Sequence, residues 1–78
     1  MSESIFDAVV GVLSPLVGRP VAQIAISSAA IKIGKSSDAL TADDLDALLV
    51  EVRSSMEAFT SADVLNHAID DIRERAAA

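Results

Sequence analysis

The sequence predicts an all-α domain, a small four-helix bundle of residues 1–78 with apolar, central N-terminal helices and an acidic, outer C-terminal helix hairpin. Three observations carry that prediction. Apolar residues recur at steps of three and four along every apolar segment, Gly and Pro fall where helices stop and start, and Thr or Ser precedes the two later segments. The expected helices span residues 3–17, 20–33, 42–58 and 62–75.

The first segment, SESIFDAVVGVLSPLVG, carries two parallel stripes, Ile5/Val9/Val12/Leu16 and Phe6/Val10/Leu13/Val17. Together they cover about half of a helix circumference at 100° per residue. Pro15 removes a backbone donor inside that pattern, so a bend or break is expected there. Gly18 closes the segment and Pro20 opens the next at a first-turn position, where its missing N–H costs nothing.

The second segment, RPVAQIAISSAAIKIGK, has one stripe of Ala22/Ile26/Ala29/Ile33 and another of Val21/Ile24/Ser28/Ile31. Only Gln23, Ser27 and Lys32 clearly favour water. Its β-branched isoleucines leave a strand open on propensity, but the length, the Pro start, the Gly stop and the Ala/Ser content favour a helix. A helix apolar nearly all round belongs in the middle of something.

Thr41 begins the third segment in a T-x-x-D arrangement, with Asp43, Asp44 and Asp46 set against the positive helix end. Leu45, Leu48, Leu49, Val52, Met56 and Phe59 form its inner stripe, and Asp46, Val50, Arg53 and Glu57 lie opposite. Thr60 and Ser61 interrupt and cap the last helix, with Val64, Leu65, Ala68, Ile69 and Ile72 turned inward. The last two helices are expected to form a tight hairpin about Thr60 and Ser61.

Composition limits what such a bundle can do. Seventy-eight residues bury a small fraction of their surface, and with no cysteine the usual disulfide supplement is excluded. The 51% apolar content and mean hydropathy of +0.44 are high for a chain this short. Oligomerisation is therefore the expected supplement.

Residues 1–35 hold two acids against three bases, net +1, whereas residues 36–78 hold ten acids against three bases, net −7. That balance repels phosphate backbones, so nucleic acid is not an expected partner. Charge-free runs end at residues 18 and 31, short of the roughly 20 residues that span a bilayer. With no basic leader region ahead of the first apolar stretch, neither a transmembrane segment nor secretion is expected, and the expected location is cytoplasmic.

Chemistry-bearing patterns are sparse. Gly34-Lys35-Ser36 is the nearest approach to a phosphate-binding loop, but Ala29 occupies the position of the first loop glycine and no strand precedes it. A helix stop at Gly34 accounts for the same letters. The acids Asp38, Asp43, Asp44, Asp46 and Glu51 lack the order and the glycine of a calcium loop, and read as helix-start charges. His67 has Asp63, Asp70 and Asp71 at i−4, i+3 and i+4. A metal site or proton switch is one reading of that face, and a solvated histidine in an acidic patch is the favoured one. No catalytic, metal or cofactor residues are expected, and the chain reads as non-enzymatic.

The stretch ADDLDALLVEVRSSMEAF, residues 42–59, resembles the D-S-L segment and following helix of acyl carrier proteins. That resemblance covers less than a quarter of the chain. It implies a carrier whose attachment serine would fall at Asp44, which cannot hold phosphopantetheine, and Phe59 leaves no room for the family's short third helix.

The functional expectation is an interaction module that self-associates, or binds another helical protein, through its first two helices. Val9, Val12, Leu16, Ile24 and Ile31 are the expected contacts. The alternative is a small carrier enclosing an apolar or acyl ligand between the helices.

Overall fold

The computed structural model describes residues 4–77. Four helices are present: α1 Ile5–Val17, α2 Arg19–Lys32, α3 Leu45–Met56 and α4 Ala62–Ala77, with a 3-10 turn Ala42–Asp44 leading into α3. The helices form a ring in which α1 contacts α2 and α4, and α3 contacts the same two neighbours. The α1–α2 contact is the most extensive and the α3–α4 contact the least. A radius of gyration of 11.0 Å shows a chain closed on itself, close to the roughly 11.5 Å that globular scaling gives for this length.

Among the described residues seventeen apolar ones are buried, ten of them from α1 and α2 and only three, Leu65, Ala68 and Ile72, from α4. The first two helices thus supply most of the centre, and α4 lays a narrow stripe over it. Residues Leu13, Ile26, Leu48, Met56, Leu65 and Ile72 are almost fully enclosed, so side chains from all four helices fill the middle. No buried residue among those described is polar or charged. The core is held by apolar contact, at about 25 cal/mol per Å² removed from water.

Helix α1 is capped by Ser4, whose hydroxyl accepts the Asp7 amide at 3.1 Å, and the expected start at residue 3 lies outside the described residues. Of the bend or break expected at Pro15, a break does not occur: the helix runs on to Val17, and the Gly18 amide still reaches the Ser14 carbonyl at 2.8 Å. Pro15 sits in the last turn on the exposed side, and its missing N–H removes only the helical bond to the Gly11 carbonyl. Gly18 alone separates α1 from α2, at φ 90° and ψ 151°.

The hairpin of α3 and α4 is looser than expected. Residues 57–61 connect the helices, and the pair is joined at its surface by Arg53 to Asn66 and by Arg73 Nη1 to Asp46 Oδ1 at 2.6 Å. The turn begins after Met56, so Phe59 leaves the stripe assigned to it and stands 60% exposed.

Candidate functional surfaces

The Gly34-Lys35-Ser36 stretch is a helix terminus. Gly34 takes φ 79°, its amide bonds to the Ile31 carbonyl at 3.0 Å, and the Lys35 amide bonds to the Ala30 carbonyl at 2.9 Å. That pair of bonds defines a Schellman ending, which consumes the amides a phosphate loop would present. The Lys35 ammonium turns to Asp44 Oδ2 at 3.4 Å, and Ser36 Oγ donates to Asp38 Oδ1 at 2.7 Å.

Asp44 gathers three polar contacts at the start of α3. Besides the Lys35 ammonium, its Oδ2 meets the Thr41 amide at 3.0 Å and the Thr41 hydroxyl at 3.1 Å, accepting from both. Thr41 and Asp44 thus form the capping box that the T-x-x-D spacing anticipated, and the Thr41 hydroxyl also contacts the carboxylate. The Thr41 backbone bond, foremost, holds the Asp44 carboxyl below the ordinary aspartate range; desolvation, next in size, opposes it, and the Thr41 hydroxyl and the Lys35 charge add to the lowering. Asp44 is therefore a structural acid of the α3 start. His67 and its neighbouring acids lie on the exposed side of α4, and among the described residues no three potential ligands converge on a metal position.

The five expected contact residues divide three ways. Val9 is completely buried between helices and offers a partner no surface. Packing within the chain's own core cluster has taken it, and it leaves the contact set. Val12 is half-buried and Leu16 is 42% exposed; both line a groove of about 200 Å³ between α1 and α4, with Val64, His67, Ala68 and Asp71. Ile24 and Ile31 stand 66% and 74% exposed on the outer face of α2.

The α2 face is the larger apolar surface. Ile24, Ser27, Ser28 and Ile31 form a shallow trough between Pro20 and Gln23 at one end and the helix terminus at the other. Ile24 also borders a groove of about 170 Å³ shared with Val21, Ser28, Ser55, Met56 and Phe59, so the apolar strip continues onto the α3 end. Phe59 and Val64, 60% and 37% exposed, are surface residues that stripe assignment placed inside. Thr60 and Ser61 were the available signal for Phe59, since a helix that stops before them releases it.

These grooves lie outside the filled centre. No helix among the described residues is long and apolar enough to cross a membrane. The arrangement defines a small all-helical bundle with apolar surface on two separate faces. Comparisons of the chain with models of known families, with characterised proteins and with solved structures found no match.

Proposed function

We propose that this protein is a non-enzymatic interaction module that pairs with a second copy of itself through the outer face of α2. The observation that carries the reading is the exposure of Ile24 and Ile31, seven residues apart, with only Ser27 and Ser28 between them on that face. Seven residues are two turns, so both isoleucines lie on one line. Small serines at its midpoint let two helix axes approach closely.

A two-fold axis through the serines sets Ile24 of each copy against Ile31 of the other, an isologous contact of the commonest kind in homodimers. Charge favours the same face. The chain carries a net charge of −6, yet α2 contains no acid and contributes Arg19 and Lys32. Two copies meeting there bring together their least acidic sides. Phe59, continuous with the strip, adds the aromatic contact that an otherwise aliphatic interface lacks.

Light scattering over a concentration series tests this. A dimer is expected that Ile24→Lys and Ile31→Lys each convert to monomer while helix content is retained. A monodisperse wild-type monomer at about 100 µM, a concentration at which even modest association would show, overturns it. Native mass spectrometry tests the carrier alternative alongside: a copurifying apolar ligand on a monomer would replace the self-association reading.

A further inference from the structure

We infer that the groove between α1 and α4 is a second docking site, for a basic amphipathic helix of a different protein. Its floor is apolar: Val12 and Leu16 from α1, and Val64 and Ala68 from α4. Its volume of about 200 Å³ suits aliphatic side chains delivered from one face of a helix.

The rim on the α4 side is acidic. Asp63, His67 and Asp71 follow at intervals of four, with Glu74 on the same arc, and Asp71 lines the groove itself. The ion pairs Lys32–Glu51, Lys35–Asp44 and Arg73–Asp46 take up acids elsewhere on the molecule and none of these four positions. Helix α1 lends the groove no charge, and the Arg75 guanidinium, which crosses the same seam over Gly11, is not among the residues lining it. A helix with leucine-like anchors on one face and Lys or Arg along its flank would bury the first against Val12, Leu16 and Val64 and set the second beside Asp71, Glu74 and Asp63. Such complementarity also rejects a second copy of this acidic chain.

The site is distinct from the α2 face. In the ring order of the bundle the α1–α4 seam lies opposite the α2–α3 seam, so occupation of one leaves the other open.

The probe is a fluorescently labelled leucine–lysine peptide with apolar residues at i, i+3, i+4 and i+7, titrated into the full chain and followed by anisotropy and by amide chemical shifts. Two control peptides accompany it: one with glutamate in place of lysine, the other of identical composition without helical periodicity. Saturable binding of the first peptide alone is expected, with shifts centred on Val12, Leu16, Val64 and Ala68. Leu16→Glu and Val64→Glu should each weaken it by about tenfold or more, near 1.4 kcal/mol. Both positions are partly exposed, so helix content checked by circular dichroism should be retained. Asp71→Asn should weaken binding several-fold and flatten its salt dependence, while Ile24→Lys should leave it unchanged.

Absence of saturable binding, equal binding of either control peptide, or indifference to Leu16→Glu and Val64→Glu overturns the inference. Loss of self-association, rather than of peptide binding, in Val64→Glu would assign the groove to a second copy and overturn it equally. The α2 reading is judged separately, by the oligomeric state of Ile24→Lys.

Discussion

The Arg75 guanidinium of α4 lies across Gly11 of α1, with Nη1 only 2.7 Å from where a β-carbon on Gly11 would stand. The contact joins the last turn of the chain to the middle of the first helix, on the exposed side of the α1–α4 seam. Any side chain at residue 11 must displace it.

Two effects oppose each other in Gly11→Ala. The substitution removes a mid-helix glycine, a gain of about 0.5–1 kcal/mol in backbone entropy, and it pushes aside an exposed, flexible guanidinium, whose surface contacts are worth roughly 0–1 kcal/mol. The obstacle is the far end of a mobile side chain, so it can move. Net stabilisation of a few tenths of a kcal/mol is expected, seen as a small rise in Tm. A fall of several degrees would show that the Arg75 placement matters more than the glycine entropy.

Gly18 is a different case. At φ 90° and ψ 151° it occupies a region open to glycine alone, and it is the single residue between α1 and α2. Gly18→Ala should cost about 1–3 kcal/mol. The loss should appear in urea unfolding as a lower midpoint with an unchanged slope. Gly18→Ala within a few tenths of wild type would show that the helices reorient freely about this joint.

Asp44 makes acid sensitivity local. Because its carboxyl is held below the usual range in the folded chain, its contribution is fully present above the unfolded value near 4 and fades as pH falls through the lower folded value. Asp44→Asn should therefore be less stable than wild type at pH 7, and the gap should shrink when both are compared at pH 3. Denaturant midpoints at the two pH values measure this. A gap unchanged at pH 3 would place the effect in the geometry of the α3 start rather than in its charge.

Local rules made the helices legible and tertiary ones decided their surfaces. Gly18, Gly34, Pro20 and Thr41 punctuate the chain because each acts through its own backbone or its nearest neighbours, and the helix ends fall close to them. The two α2 stripes were visible as periodicity, but which faces inward depends on neighbours far along the chain. The structure buries Ala22, Ala25, Ile26, Ala29 and Ala30 and leaves Ile24 and Ile31 outside, so small residues bring α2 close to α1 and α3 while the larger isoleucines face out. An isoleucine gains more than an alanine by leaving water, so side-chain transfer alone would turn the opposite face inward. Phe59 escaped for a related reason: its spacing fits the α3 stripe, and the turn after Met56 ends the period to which it would belong.

Val9 and Ile31 separate folding from association. Both were expected at the contact surface, but Val9 is wholly enclosed by its own chain whereas Ile31 is 74% exposed. Val9→Ala deletes two buried methyl groups, which at about 0.8 kcal/mol per buried carbon plus a cavity term costs roughly 1.5–3 kcal/mol. For a domain this size that is a large share of a total of about 4–12 kcal/mol, so Tm should fall by several degrees while any dimer dissociation constant, measured well below Tm, changes little. Ile31→Ala should do the reverse: the monomer keeps its core, helix content is unaltered, and association weakens because each copy loses a side chain facing Ile24 of the other. Unfolding curves taken at low concentration, paired with sedimentation across a concentration series, separate the two effects. Should Ile31→Ala leave association intact and lower Tm as much as Val9→Ala does, residue 31 belongs to the folding core, and the α2 face must be sought without it.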